Sequence, residues 1–409
     1  MSLANGRTYL AIPGPSVVPE RVLRAMHRAA PNIYDGSFVE TVPGIVRDLK
    51  AVARTAGNAA IYIANGHGAW EAALANTLAR GDKVLALATG RFAVGWSEMA
   101  RALGLDVEIL DFGARSAVDP ARVADALKED HGHRIRAVLC VHVDTSTSIR
   151  NDVAGVRAAL DEAGHPALLL VDCIASLACD VFEMDAWGAD VMVTGSQKGL
   201  MTPPGLGFVF YNKKADQARD RADCATHYWD WRPRTDPELF YRYFDGTAPT
   251  HHLFGLREAL DMIAEEGIEA IWRRHAVLAR AVWAALETWG EAGALELNVS
   301  DPGLRSHAVT TIRIDAPRDR ELREWVETRA GLTLGIGLEL SGGSGSRGEG
   351  VFRIGHMGHV NAQMVMGALG TIEAGLRGLA VPIGTGGLEA AAQVIAEGAE
   401  DPIQQSVQG

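Results

Sequence analysis

Two residues set one strand apart carry the chemistry that this sequence offers. Lys198 follows the apolar run "DVMVTG" (Asp190–Gly195) and precedes "GLMTPPG", whose two prolines cannot continue a helix. A lone loop lysine is ordinarily solvated. At the carboxyl end of a buried strand, however, it faces the crevice where α/β sheets bind ligands. A lysine there, with its pKa lowered by the site, can form a Schiff base. Asp172 ends another apolar run, "ALLLVD" (Ala167–Asp172). A carboxylate at one strand end and an amine at the next fit a pyridoxal phosphate site. The acid would keep the pyridine nitrogen protonated and the lysine would hold the aldehyde. The protonated ring then serves as an electron sink for an amino-acid α-carbon.

Such a site needs two further groups. "ANGHGAWEAAL" supplies a strand end, the turn Gly66-His67-Gly68 and a helix start. Bare glycine backbone at a helix N-terminus suits a phosphate dianion. Arg353, in "VFRIGHMG", can hold a substrate carboxylate through two parallel hydrogen bonds, or serve as a structural ion pair between domains. "GSGSRG" (Gly343–Gly348) matches a dinucleotide fingerprint in letters only. A strand follows it where a helix is required, so a hairpin loop is expected. His131 and His133, and the pair His251 and His252, lack partners at metal-ligand spacing, and no metal site is expected.

The elements that position these residues follow from the apolar pattern. Strands are expected at Ala60–Ala64, Lys83–Thr89, Asp106–Phe112, Arg136–Val143, Ala167–Asp172 and Asp190–Gly195. Helices are expected at Ala69–Ala79, Phe92–Leu103, Pro120–Lys128 and Val153–Ala163. Short Val/Leu/Ile/Ala runs between amphipathic segments predict βα units and a buried, mostly parallel sheet. A helical stretch from Leu253 to Trp289, broken near Gly267, reads as a connector. Strands Ala308–Ile314 and Gly350–Gly355 with helices Asp319–Ala330 and Met364–Leu376 predict a smaller α+β domain. The expected limits are 1–265 for the large domain, 266–390 for the small one and 391–409 for a mobile tail.

Composition narrows the function classes. A length of 409 residues suggests more than one domain. The net charge of -12 argues against non-specific nucleic-acid or anionic-membrane binding. Cys140, Cys173, Cys179 and Cys224 form no CxxC pair and read as reduced thiols of a cytoplasmic protein. The N-terminus has no basic region followed by an apolar stretch, so no secretory signal is expected. No apolar run is long enough to span a bilayer.

Taken together, "HVDTSTS", "LLVDCIASL", "GSQKGLMTPPG" and "FRIG" resemble the class V aminotransferases of the pyridoxal-phosphate fold type I superfamily. Within it the likeness is to the serine/alanine–glyoxylate group, and it runs from Ile12 to Gly358. The resemblance implies an α/β fold with a large domain around a mostly parallel sheet of the seven-stranded type. It also implies a smaller C-terminal α+β domain and a homodimer with composite sites. Position by position, Lys198 matches the Schiff-base lysine and Asp172 the pyridine-nitrogen partner. Gly66, His67 and Gly68 match the phosphate turn, and Gln197 a phosphate donor. Thr145 matches a hydroxyl near the ring, and Phe92 the aromatic stacked on it. Thr247 matches a phosphate contact from the neighbouring subunit; Arg353 and Gly14 match substrate-binding positions.

The chain departs from the family pattern at Asp144 (commonly Glu), Ser148 (commonly Gly), Phe244 (a cross-subunit Tyr), and His356 and Met357 (two apolar residues). Asp144 and "RIGHMG" are similar to pyridoxamine–pyruvate aminotransferase, which is the alternative reading. A cysteine desulfurase needs a catalytic cysteine late in the chain, and none follows Cys224. The expected reaction moves an amino group from a small amino acid, serine or alanine, to a small 2-oxo acid, glyoxylate before pyruvate.

Overall fold

The computed structural model describes residues 2–338 and 347–400. Seven strands form the larger sheet, in the order Asn58–Ala64, Gly205–Tyr211, Val191–Gly195, Leu168–Asp172, Ile135–Val141, Lys83–Ala88 and Asp106–Asp111. Gly205–Tyr211 runs against both neighbours, and the remaining pairings are parallel. Parallel neighbours need long crossovers, which the helices Arg91–Ala102, Pro120–Glu129 and Val153–Glu162 supply. Leu85, Leu87, Val138, Leu169 and Val171 pack into one core, and Val84, Ala86, Leu139, Leu168 and Leu170 into the other. Burial on both faces is why these strands read as unbroken apolar runs. Each fully buried Leu or Val contributes roughly 1.5–3 kcal/mol.

Strand direction places the site. Asn58–Ala64 lies antiparallel to a strand that is itself antiparallel to Val191–Gly195. It therefore points the same way as the parallel set. Ala64, Ala88, Val141, Asp172 and Gly195 all end on one edge of the sheet, as the sequence pattern expects.

The second sheet has the order Tyr9–Ala11, Leu332–Leu338, Arg347–Gly355, Val309–Ile314 and Leu295–Leu297. Its first strand comes from the N-terminal segment that sequence pattern grouped with the large domain; Tyr9–Ala11 pairs in parallel with Leu332–Leu334. Helices Thr250–Glu266 and Ile268–Gly290 are separated at Gly267, whose φ of +84° suits glycine. Residues 391–400, expected in a tail, belong to the helix Gly387–Glu400. That helix packs on Ile268–Gly290 closely enough that a Cβ on Gly398 would run into Val277. Residues 401–409 and the Gly343–Ser346 part of the expected hairpin loop lie outside the described residues; Arg347 already belongs to a strand. Among the described residues no helix is long and apolar enough to cross a membrane.

Candidate active site

Lys198 and Asp172 meet in one cavity of about 250 Å³ at the edge where the parallel strands end. Asn65, Gly66 and His67 come from the end of Asn58–Ala64, and Phe92 from the turn after Lys83–Ala88. Val143 and Thr145 follow Ile135–Val141. Asp172, Ile174 and Ala175 come from the end of Leu168–Asp172, and Gln197 and Lys198 follow Val191–Gly195. Trp70 completes the wall from the helix Gly66–Thr77.

Burial pushes the Asp172 carboxyl up to about 7. Two donors oppose that shift: Ile174 N to Oδ1 at 2.6 Å and the Trp70 indole N–H to Oδ2 at 2.9 Å. Lys198 moves the other way. Burial, and then the Arg353 charge, bring its amine down to about 8. The neutral amine, the form that acts as nucleophile and base, is therefore far easier to reach near neutral pH than for an ordinary lysine. Nζ is held by the Pro13 carbonyl. Gly14, at φ +96°, allows this approach, because a Cβ there would run into the Lys198 side chain.

The anion cradle is built from the first turn of Gly66–Thr77. Asn65 is its N-cap and accepts from Gly68 N at 3.2 Å. Gly66 and His67 line the cavity, so the helix N-terminus opens onto it. An anion there gains hydrogen bonds and the favourable helix dipole. A Cβ on Gly66 would run into Ile174. Gly68 is placed differently from the expectation. It does not line the cavity, and a Cβ there would meet Ala64 and the Trp229 ring at 2.7 and 3.0 Å. Its bareness serves packing. Gln197 brings a buried Oε1 that no group in the described residues satisfies. That oxygen is an acceptor and calls for a donor, while the amide's Nε2 is the atom that can donate to a phosphate. The amine, carboxylate, helix N-terminus and unsatisfied amide fit pyridoxal phosphate.

Arg353 reaches over from the second sheet. Its Nε donates to Ile336 O at 2.7 Å and its Nη1 to Thr145 O at 2.9 Å. Burial brings the guanidinium down to about 10, and Asp144 opposes that. Thr147 and Ser148 follow Thr145; Ser148 adopts φ +61°, a conformation that glycine takes without strain. Asp144 stays out of the cavity and accepts from Phe92 N, Ala93 N and Ser146 N at 2.8, 3.3 and 2.9 Å. It therefore fixes the turn that carries Phe92.

The other expected residues sit apart. Thr247 is exposed, in the loop between Phe240–Tyr243 and Thr250–Glu266, and does not line the cavity. Phe244 is buried against Phe240 and Tyr243. His356 is buried between Thr310 Oγ1 and His307 O, and burial brings it down to about 4, so it stays neutral. His251 and His252 meet the backbone carbonyls of Arg28 and Pro204. Among the described residues no three His, Cys, Asp or Glu side chains are grouped to hold a metal ion. A larger hollow of about 430 Å³ is lined by Arg273, Arg274 and Arg280 but has no carboxylate or lysine in its wall, so size does not pick out the chemistry. Sequence reasoning missed Trp70, Asn65, Val143, Ile174 and Ala175. Ile174 and Ala175 directly follow Asp172 and were within reach; Trp70 reads as a core residue of an apolar helix.

The family described as Aminotransferase class-V matches residues 8–341. This chain belongs to the class V aminotransferases. The aminotransferase is 38% identical over 394 residues to a serine–glyoxylate aminotransferase of Methylorubrum extorquens, covering 93% of this chain and 94% of that one. It is 36% identical over 390 residues to an L-aspartate–glyoxylate aminotransferase of Paracoccus denitrificans, again covering 93% and 94%. Its structure is similar to that of pyridoxamine–pyruvate aminotransferase from Mesorhizobium loti, with a TM-score of 0.86 and 26% identity over 97% of this chain and 100% of that one. Membership implies pyridoxal phosphate as cofactor. The aminotransferase has no thiol suited to desulfuration. All four cysteines are buried, and burial pushes Cys140 and Cys179 up to about 12.

Proposed function

We propose that this aminotransferase binds pyridoxal phosphate in the Lys198–Asp172 cavity and moves an amino group from serine or alanine to a small 2-oxo acid, glyoxylate before pyruvate. The observation that carries the reading is the pairing of a lysine brought down to about 8 with an aspartate pushed up to about 7 in one buried cavity beside a helix N-terminus. When bound, the cofactor supplies an aldehyde carbon that takes up the amino group and a ring that draws electrons from the α-carbon. Asp172 keeps a proton on the ring nitrogen. Lys198 Nζ takes the α-proton of the amino donor and returns it on the other side of the transfer, as base and then acid. Gly66, His67 and Gln197 hold the phosphate. Phe92 and Ile174 wall the ring and exclude water. Arg353 holds the α-carboxylate of donor and acceptor in turn.

The choice of glyoxylate is supported by the relatives, two of which are named as glyoxylate aminotransferases. It is supported also by charge. A dicarboxylate acceptor calls for a second cation, and Arg91 lines a neighbouring hollow of about 170 Å³ and not the Lys198–Asp172 cavity. The active unit is a homodimer in which Thr247 reaches the phosphate of the other subunit. Four unpaired cysteines support a cytoplasmic location.

A second reading, pyridoxamine–pyruvate transfer, is favoured by the structural likeness and by Asp144. Bound phosphate and turnover decide between them. Purified protein should carry pyridoxal phosphate, borohydride should fix it to Lys198, and glyoxylate should outrun pyruvate and 2-oxoglutarate as acceptor. Protein free of phosphate that converts free pyridoxamine with pyruvate would reverse the ranking.

A further inference from the structure

Trp70 stands one turn into the helix Gly66–Thr77 and is 1% exposed. Its ring is fixed on several sides. It stacks on Trp96 with centroids 5.8 Å apart and planes 14° apart. The His67 and Phe92 rings meet it edge-on at 4.6 and 6.4 Å. Its indole N–H donates to Asp172 Oδ2, while Asp172 Oδ1 takes the Ile174 N–H. An indole nitrogen can only donate, as can a backbone N–H. Two obligate donors, one on each oxygen, suit an ionised carboxylate and oppose its acid form.

We propose that Trp70 is a positioning residue that acts through Asp172: the indole N–H orients the carboxylate and favours its ionised form against burial, leaving lone pairs for a partner in the cavity. The inference rests on the reading that Asp172 meets the ring nitrogen. There it biases a shared proton away from the carboxylate and onto the base it faces. The other charged or titratable groups that act on Asp172 are Lys198, which favours the ion, and Asp144, which opposes it. The buried thiols of Cys140 and Cys173 lie beside it and stay protonated. Trp70 is thus, with the Ile174 N–H, one of two neutral contributions to that balance that salt does not screen.

The test uses Trp70→Phe, which keeps an aromatic ring and removes the N–H. In cofactor-free protein the pKa of Asp172, followed by carboxyl carbon NMR and assigned with Asp172→Asn, should rise by about one pH unit or more. That is the scale of one hydrogen bond to a charged group, about a tenfold change in proton affinity. In the loaded enzyme kcat should fall at neutral pH with KM little changed, and the acid limb of the pH–kcat profile should move upward with Asp172. Trp96→Phe, which disturbs the same stack without touching Asp172, should leave the Asp172 pKa in place. An Asp172 pKa equal in wild type and Trp70→Phe would reduce Trp70 to packing and overturn the proposal. If Trp70→Phe does not fold, the wild-type protein still decides. Of its nine tryptophan indole signals, one should titrate with Asp172 and lose that titration in Asp172→Asn; no such signal would overturn the proposal. Because the carboxyl and indole measurements need no turnover, a failure of the assigned reaction remains distinguishable from a failure of this inference.

Discussion

At the scale of single residues, Asp172 carries a cost that the bound cofactor would remove. Its folded-state pKa of about 7 lies above the ordinary carboxylate value of 3.8, so burial favours the neutral acid. The sign follows. The neutral form costs nothing below about pH 4, and the penalty on the folded state grows as pH rises to about 7, then stays constant. In cofactor-free protein, Asp172→Asn should therefore gain on wild type across that window, by up to about 4 kcal/mol. Chemical denaturation at a series of pH values reads the slope; the offset also contains the amide's poorer fit to two N–H donors. With cofactor, the same variant should lose at least ~10²-fold in kcat, the scale of losing one electrostatic stabiliser. A flat stability difference and near-normal turnover would remove Asp172 from the site. Arg353→Lys keeps charge but loses the fork. It should lower kcat/KM by about 10- to 100-fold for donor and acceptor alike, as expected for a lost charged hydrogen bond. An effect on neither substrate in steady-state assays would make Arg353 an inter-domain tie.

At the scale of elements, the site depends on segments arriving closely. Gly14 is one such point, since the chain at Pro13–Gly14 lies directly on the Lys198 side chain. Gly14→Ala must both adopt a left-handed φ and displace Lys198, so stability should fall by about 1–3 kcal/mol. Borohydride labelling of Lys198 should fall with it. Thermal melts and peptide mapping check both, and wild-type values in both would show that the segment yields freely. How far such elements could be read in advance depended on length and burial. The strands Leu168–Asp172 and Val191–Gly195 are buried on both faces, and their ends announced Asp172 and Lys198. Tyr9–Ala11 is three residues long and gives no period to read. Leu332–Leu338 alternates Leu332, Leu334, Ile336 and Leu338, but its Gly335 and Gly337 are residues that strands disfavour. Gly387–Glu400 packs Leu388, Ala391, Val394 and Ile395 against the second core, a helical spacing that the sequence reading passed over. Trp70 escaped because its partner lies 102 residues away and only the fold brings them together. Gly68 was grouped with the phosphate turn by adjacency, whereas helix geometry turns its missing Cβ toward Ala64 and Trp229.

At the scale of the whole molecule, Thr247 lies outside the cavity of its own chain, and the proposed homodimer would bring it to the site of a second copy. Mixed dimers of Lys198→Ala and Thr247→Ala protomers test this. If sites are shared, one site in the hybrid carries both defects and the other carries neither, so about half of wild-type activity per dimer should return from two impaired parents. Hybrids without an unimpaired site would confine each site to its own chain. The short strand Tyr9–Ala11 bears on a different hazard. It occupies one margin of the second sheet, and its backbone takes up groups of Leu332–Leu334. Remove it, and Leu332–Leu338 presents a row of unpaired N–H and C=O groups to any strand that drifts past. A chain trimmed beyond Ala11 should therefore lose more than Pro13's hold on Lys198. It should also gain a template for sheet-to-sheet stacking between molecules, visible as concentration-dependent light scattering, while the full-length protein stays clear.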